Sequence, residues 1–123
     1  MTMLCICVAG GLGAVVRFLL DTHINSRFSF PVPVGTLVIN VLGSLLLGFV
    51  TAAALNHLGF SHNLEGPLGT GFCGGFTTFS TASVETVRTA SSRGVHVGVL
   101  HCLGMALAGV LAAVLGLYLG SLA

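Results

Sequence analysis

The segment GFCGGFTTFST at residues 71–81 combines two adjacent glycines with several hydroxyl side chains inside an apolar stretch. A Gly-Gly pair weakens a helix because glycine loses the most backbone entropy on ordering. Thr and Ser offer the backbone competing hydrogen bonds. In a membrane, irregular backbone is tolerated only where it is buried in protein or lines a polar cavity. The segment therefore predicts a functional site, in a helix broken at Gly74–Thr78.

The side chains of this segment suit a small, strongly hydrated anion, because their donors can replace the water that the ion loses. Phe76 and Phe79 present ring edges that carry partial positive charge. The carbonyl groups freed between Gly74 and Thr77 suit instead a hard cation such as Na⁺. The hydroxyl donors are Thr77, Thr78, Ser80 and Thr81.

A polar stripe at four-residue spacing runs through the second apolar stretch as Thr36, Asn40 and Ser44. Positions i and i+4 share one face of a helix. Asn40 lies well inside the stretch, where an amide needs a hydrogen-bond partner. Two interpretations stay open for Asn40: an interhelical hydrogen bond, or a donor and acceptor that line an ion pathway.

Two charged residues flank these candidates. Arg17 ends the first apolar stretch, where it either extends to the membrane interface or attracts an anion to a pore mouth. Glu85 lies near the end of the third stretch, where it can pair with Arg88 or face the lipid headgroups.

The composition identifies an integral membrane protein. Of 123 residues, 54% are hydrophobic and only 6% are charged, whereas a soluble domain carries about 25% charged residues. One span needs about 20 residues, so the length predicts a single all-α domain over residues 1–123 with four transmembrane helices. The predicted spans are residues 3–20, 34–55, 68–87 and 95–120.

The sequence lacks the signatures of several other functions. There is no GxSxG, HExxH or P-loop pattern, which excludes the common hydrolase and nucleotide-binding motifs. The net charge is +1 with no basic stripe, so no nucleic-acid partner is expected. The five histidines form no pair at i+3 or i+4, and we interpret them as ordinary loop or interface residues.

The arginines predict the topology. With four spans, all four cations (Arg17, Arg27, Arg88 and Arg93) lie on one side of the membrane. The positive-inside rule then places both termini outside the cytoplasm. The first apolar run lacks a basic start, because its first cation is Arg17, so we interpret it as a retained span rather than a signal peptide.

Three segments together resemble the CrcB/Fluc fluoride-channel family: GGLGAVVRF at Gly10–Phe18, GTLVINVLGS at Gly35–Ser44, and GFCGGFTTFST at Gly71–Thr81. The resemblance implies an antiparallel dimer of four-helix subunits that conducts fluoride passively through a bacterial plasma membrane and lowers cytoplasmic fluoride. It also implies a structural, non-transported Na⁺ at the dimer interface.

The resemblance assigns roles to residues of this chain. The backbone carbonyls of Gly74 and Thr77 would hold Na⁺. The pore asparagine would be Asn40, the first aromatic of a phenylalanine pair would be Phe79, and a hydroxyl track would follow at Ser80 and Thr81. The arginine and glutamate of the motifs match Arg17 and Glu85.

The chain departs from the family pattern at two places. TTFSTF is usual, but this chain reads TTFSTA, with Ala82 in place of the second aromatic residue. The polar residues expected along the fourth span are replaced by Cys102, Met105, Ala106 and Gly109. Together with the one-sided arginines, these losses suggest one half of a heterodimer, whose oppositely oriented homologue supplies the missing groups; a homodimer stays the alternative.

Other functions of small four-helix membrane proteins stay as alternatives. A proton-coupled multidrug exporter needs a carboxylate within the first span, and residues 3–20 contain none. A non-conducting assembly subunit needs small packing residues but no polar break. Residue types alone do not separate a fluoride channel from a fluoride–proton exchanger.

Overall fold

The computed structural model describes residues 2–30, 32–56 and 62–123, and their regular structure is helical throughout. The helical segments follow in chain order as α1 (Thr2–Arg27), α2 (Gly35–Asn56), α3 (His62–Glu65), a π-helical segment (Gly66–Cys73), α4 (Gly74–Phe76), α5 (Phe79–Arg93) and α6 (Val95–Leu122).

Three of these helices, α1, α2 and α6, are long and apolar enough to cross a membrane. They correspond to the predicted spans 3–20, 34–55 and 95–120. The predicted span 68–87 falls instead on several shorter helices in succession, from the π-helical segment to α5.

The first helix is longer than predicted. The sequence suggested a polar loop from Asp21 onward, and this was wrong, because α1 continues to Arg27. Its polar end is stabilised by local bonds: Asn25 Nδ2 donates to Asp21 Oδ1 (3.0 Å) and Thr22 Oγ1 donates to the Phe18 carbonyl (2.8 Å). The predicted loop 56–67 is helical over α3, and its residues 57–61 lie outside the described residues.

The break predicted over Gly74–Thr78 was wrong for its first three residues, which form α4. The backbone leaves helical geometry at Thr77 (φ −79°, ψ 159°) and Thr78 (φ −146°, ψ 121°). The glycines serve packing here, because a Cβ atom added at Gly75 would overlap the carbonyl oxygen of Gly10. The extended residues are therefore the threonines that follow the Gly-Gly pair.

Helix α1 runs parallel to the stretch from the π-helical segment to α4. Their contacts advance together along both chains: Ile6 lies against Gly71, Gly10 against Gly75, and a Cβ atom at Gly13 would lie 2.9 Å from the Phe76 backbone nitrogen. Close backbone approach of this kind drives helix association in lipid.

Helices α2 and α6 form a second parallel pair. Added Cβ atoms at Gly48 and Gly116 would overlap the carbonyls of Ala113 and Leu45, respectively, and one at Gly120 would overlap the Phe49 carbonyl. The GxxxG spacing of Gly116 and Gly120 is therefore used for packing within the chain. Helices α5 and α6 form an antiparallel hairpin around Gly94, whose positive φ of 106° suits glycine.

Replacing Gly116 by valine should separate α2 from α6. The added side chain would push against the α2 backbone, and overpacking of this kind costs about 1–3 kcal/mol. We expect a lower midpoint of thermal unfolding in detergent. Gly104→Ala on the same helix is the matched control, since nothing lies within 4 Å of its added Cβ. An unfolding midpoint for Gly116→Val equal to that of the control would show that the contact is unimportant.

Candidate functional site

An open groove of about 690 Å³ lies between α2, α6 and residues 77–87. Its walls are largely apolar, and its polar members come from α2 and from the stretch around the two extended threonines. These members are Asn40, Ser44, Thr77, Thr78, Ser83 and Thr86. The groove therefore gathers part of the predicted polar stripe and part of the predicted hydroxyl cluster into one place.

Asn40 joins α2 to the extended backbone at Thr78. Its Oδ1 accepts a hydrogen bond from the Thr78 N–H (2.9 Å), and its Nδ2 donates to the Thr78 carbonyl (3.0 Å). One amide thus satisfies both main-chain groups of a residue that has left the helix. Of the two interpretations given for Asn40, the structure shows the interhelical bond, and Asn40 also lines the groove.

The second N–H of the Asn40 amide is directed to sulfur. Nδ2 lies 3.7 Å from the Sδ atom of Met105, which is 8% exposed and comes from α6. A thioether is a weak acceptor. The sequence assigns no role to Met105, because a methionine side chain gives no signal of such a contact. The contact arises because α2 and α6 run parallel.

Thr78 is also the centre of the hydroxyl cluster. Its Oγ1 lies 3.3 Å from Ser80 Oγ and 3.1 Å from Thr81 Oγ1. The same oxygen accepts a hydrogen bond from the Thr81 N–H (3.2 Å) and so caps the start of α5. Ser80 is exposed and Thr81 half-buried, and neither lies among the groove-lining residues of the described chain.

The two extended threonines release main-chain carbonyls. In an α-helix the carbonyl of Gly74 would accept from the Thr78 N–H, and that of Thr77 from the Thr81 N–H. Here the Thr78 N–H donates to Asn40 and the Thr81 N–H donates to the Thr78 hydroxyl. The two predicted Na⁺ ligands are thus carbonyls whose helical donors are engaged elsewhere, which fits the oxygen chemistry of a hard cation.

The two predicted aromatic residues separate in the structure. Phe79 lines the groove with a side chain that is 89% exposed. Phe76 is 6% exposed and stacks on Phe72 with ring centroids 5.8 Å apart. Phe79 can meet a ligand or a partner from the groove, whereas Phe76 packs in the interior of the described chain.

Arg17 and Glu85 lie away from the groove lining of the described chain. Arg17 is half-buried on α1. Glu85 is tied to α2, because Thr36 Oγ1 donates to its Oε1 at 2.7 Å. The predicted stripe on α2 therefore reaches three places: Glu85 through Thr36, the extended backbone through Asn40, and the groove through Ser44.

Replacing Asn40 by alanine should leave the Thr78 N–H and carbonyl without their partners. A buried polar group left unsatisfied costs about 1–3 kcal/mol, so we expect the Thr78 amide to exchange hydrogen at least roughly tenfold faster. Ser44→Ala, one turn away on the same groove face, should leave that rate unchanged. An unaltered Thr78 exchange rate in Asn40→Ala would show that the bonds do not hold this backbone.

Comparison with known proteins places the chain in a family. Residues 4–117 match the family described as CrcB-like protein, Camphor Resistance (CrcB). Fluoride-specific ion channel FluC 2 of Cutibacterium acnes (strain DSM 16379 / KPA171202) is 78% identical over 121 residues, covering 98% of both chains. Fluoride-specific ion channel FluC 1 of Leifsonia xyli subsp. xyli (strain CTCB07) is 50% identical over 123 residues, covering 100% of this chain and 89% of the relative.

A third relative, Fluoride-specific ion channel FluC 2 of Rhodococcus jostii (strain RHA1), is 40% identical over 121 residues, covering 98% of this chain and 100% of the relative. The family is one of ion channels rather than enzymes. The three long apolar helices agree with a multi-pass membrane protein. By the matched residues and by these identities, the chain belongs to the CrcB family.

Proposed function

We propose that this chain is a subunit of a fluoride-selective ion channel of the bacterial plasma membrane, which lowers cytoplasmic fluoride and its toxicity. The observation that carries the proposal is the 78% identity, over nearly the whole of both chains, to a relative named for fluoride-specific conduction. The groove adds physical support, because hydroxyl donors and an exposed aromatic edge are gathered beside it.

The proposal includes a third span over residues 66–93, interrupted at Thr77 and Thr78. Two contacts support it. The stretch 66–76 runs parallel to α1, and α5 runs antiparallel to α6. A chain that crosses the membrane in alternating directions produces this arrangement, with the first and third spans parallel and the second and fourth parallel.

An interruption at membrane depth requires that its polar groups be satisfied or line a cavity. Asn40 satisfies Thr78, and the remaining hydroxyls of Ser80 and Thr81 cluster around the Thr78 oxygen. In the proposed pathway these hydroxyls and the Phe79 ring edge replace the hydration of fluoride. Arg17 would attract the anion toward the pathway by its charge.

The groove is incomplete in one subunit. Asn40, Thr77 and Thr78 line a groove that is open in one subunit, and polar groups at membrane depth must be covered by protein or line a cavity, which supports a protein partner. The proposed partner is an oppositely oriented homologue, which gives an antiparallel dimer. Ala82 and Met105 line the groove of this chain where the family pattern has an aromatic and a polar residue, so the partner would supply those groups.

The arginines favour the heterodimer over the homodimer. All four lie toward one predicted side, so the chain would insert in one orientation with both termini outside the cytoplasm. A homodimer of opposed subunits needs a sequence that inserts both ways. The numbered names of the relatives, FluC 1 and FluC 2, are consistent with paired chains.

The proposed structural Na⁺ would be held by the carbonyls of Gly74 and Thr77. Main-chain oxygens suit Na⁺ because it is a hard cation. Bound there, the ion supplies a fixed positive charge that stabilises the interrupted span and is not transported. This chain's part is to keep both carbonyls free of helical donors, which the bonds to Thr78 and Thr81 achieve.

Fluoride efflux from liposomes tests the proposed function. We expect chloride-excluding fluoride efflux from vesicles that contain this chain with an oppositely oriented homologue, and little from this chain alone. Phe79→Ile and Asn40→Asp should reduce efflux at least tenfold, because the first removes the exposed ring and the second removes a donor to Thr78. Gly104→Ala should keep wild-type efflux.

The outcomes of that assay separate the parts of the proposal. Rapid efflux from this chain alone would refute the need for a different partner. Efflux that persists in both pore variants would contradict the assigned residues. Proton movement coupled to fluoride would indicate a fluoride–proton exchanger. Absence of efflux with every homologue tested would favour the alternative of a non-conducting assembly subunit.

Removing Na⁺ should weaken the complex. With Na⁺ replaced by a large organic cation at constant ionic strength, we expect a lower midpoint of thermal unfolding, because a ligand that binds only the folded state stabilises it. Fluoride efflux should fall in parallel. Identical midpoints in the two media would contradict a structural Na⁺ at Gly74 and Thr77.

A further inference from the structure

Two buried polar atoms in the described part of the chain lack a hydrogen-bond partner: Glu85 Oε2 on α5 and His101 Nε2 on α6. Buried polar atoms in proteins are nearly always bonded, so each exception needs an explanation. These two have complementary chemistry, since a carboxylate only accepts hydrogen bonds and a protonated imidazole donates from both nitrogens.

The hairpin geometry brings the two side chains toward each other. Helices α5 and α6 run antiparallel from Gly94, and Gly98 packs against Ala90. Continued along both helices, this register brings residue 101 opposite the turn of α5 that contains Glu85.

Glu85 also has neighbours on α2, on α5 and on α1. Thr36 on α2 donates to its Oε1 at 2.7 Å. Arg88 on α5 and Asp21 on α1 act on it through their charges. None of these donates to Oε2 in the described chain.

We propose that Glu85 and His101 form a proton-binding pair: the neutral ring carries its one proton on Nδ1, which leaves Nε2 an acceptor, and a second proton on Nε2 then donates to Glu85 Oε2 and fastens α6 to α5 and α2. Histidine changes its charge within the physiological pH range. The charged donor makes the stronger, charge-assisted bond. With the proton bound, both unpartnered atoms are satisfied; without it, Thr36 alone holds the carboxylate.

The pair adjoins, in sequence, two residues that line the groove. Thr86 and Cys102, the neighbours of Glu85 and His101 in sequence, both line it. A change in the α5–α6 contact therefore acts on the groove wall. On the proposed fluoride channel, conduction would then respond to the pH on the arginine side. Hydrogen fluoride that enters a cell releases a proton together with fluoride, so such a response would follow fluoride exposure.

A double-mutant cycle on the full-length protein tests the pair. Thermal unfolding midpoints would be measured for wild type, Glu85→Gln, His101→Gln and the double variant, at about pH 5.5 and about pH 8. We expect the two substitutions to be non-additive by on the order of 3 °C at the lower pH and additive at the higher pH. His96→Gln, at an exposed histidine of the same helix, is the control and should show no coupling.

Additive midpoints at both pH values would overturn the pair, and equal coupling at both would overturn its dependence on a proton. If a Glu85 variant does not fold, the unfolding midpoints of wild type and His101→Gln are compared over the same pH range. Midpoints that change in parallel with pH in the two proteins would refute the proposal. Fluoride efflux is a separate arm that rests on the proposed function. Efflux that is absent from wild type and from every variant, each reconstituted with the oppositely oriented homologue, would refute the channel and leave the stability result unaffected.

Discussion

The arrangement at the groove depends on the side-chain amide of Asn40, which makes the hydrogen bonds that backbone groups of a helix would otherwise make with Thr78. Thr78 is extended between two helices, and at membrane depth its N–H and carbonyl would find no water. Asn40 supplies an acceptor for the first and a donor for the second from a single side chain. Because those bonds keep Thr78 out of the helix, the carbonyl of Gly74 is released and the Thr78 hydroxyl is placed to cap α5. The released carbonyl of Gly74 and the hydroxyl that begins α5 both follow from this contact.

The glycines provide the second constraint, which is a short distance between the backbones of packed helices. Carbonyl oxygens of one helix lie where a Cβ atom of the next would stand, at Gly10 against Gly75 and at Leu45 against Gly116. In lipid there is no hydrophobic drive to bring helices together, so close backbone packing must do so. The small residues thus hold α2 near enough to α6 for the Asn40 amide to reach the Met105 sulfur.

Sequence reasoning predicted the spans on α1, α2 and α6 because apolar length is a strong signal. It missed the polar end of α1, where hydrogen bonds within the helix replace a loop. It also predicted a loss of helical geometry over Gly74–Thr78, whereas only Thr77 and Thr78 are extended. The glycine pair has the lowest helix propensity, but Gly75 is held helical by its fit against α1. Helix propensity is a local property. The Asn40 bond and the Met105 contact form only when segments far apart in sequence pack together, and the residue types do not specify that packing.

The parallel pairing of α2 with α6 has a consequence for how the chain assembles during synthesis. Helix α2 is made early, yet the backbone that packs against its Gly48, at Ala113 and Leu117, lies on α6. Until that helix has entered the bilayer, α2 has only its weaker contacts with earlier segments, and Asn40 has no sulfur neighbour. Contacts of such long sequence separation form late because the intervening chain must first be ordered. The packing of α2 is therefore completed only after α6 has entered the bilayer.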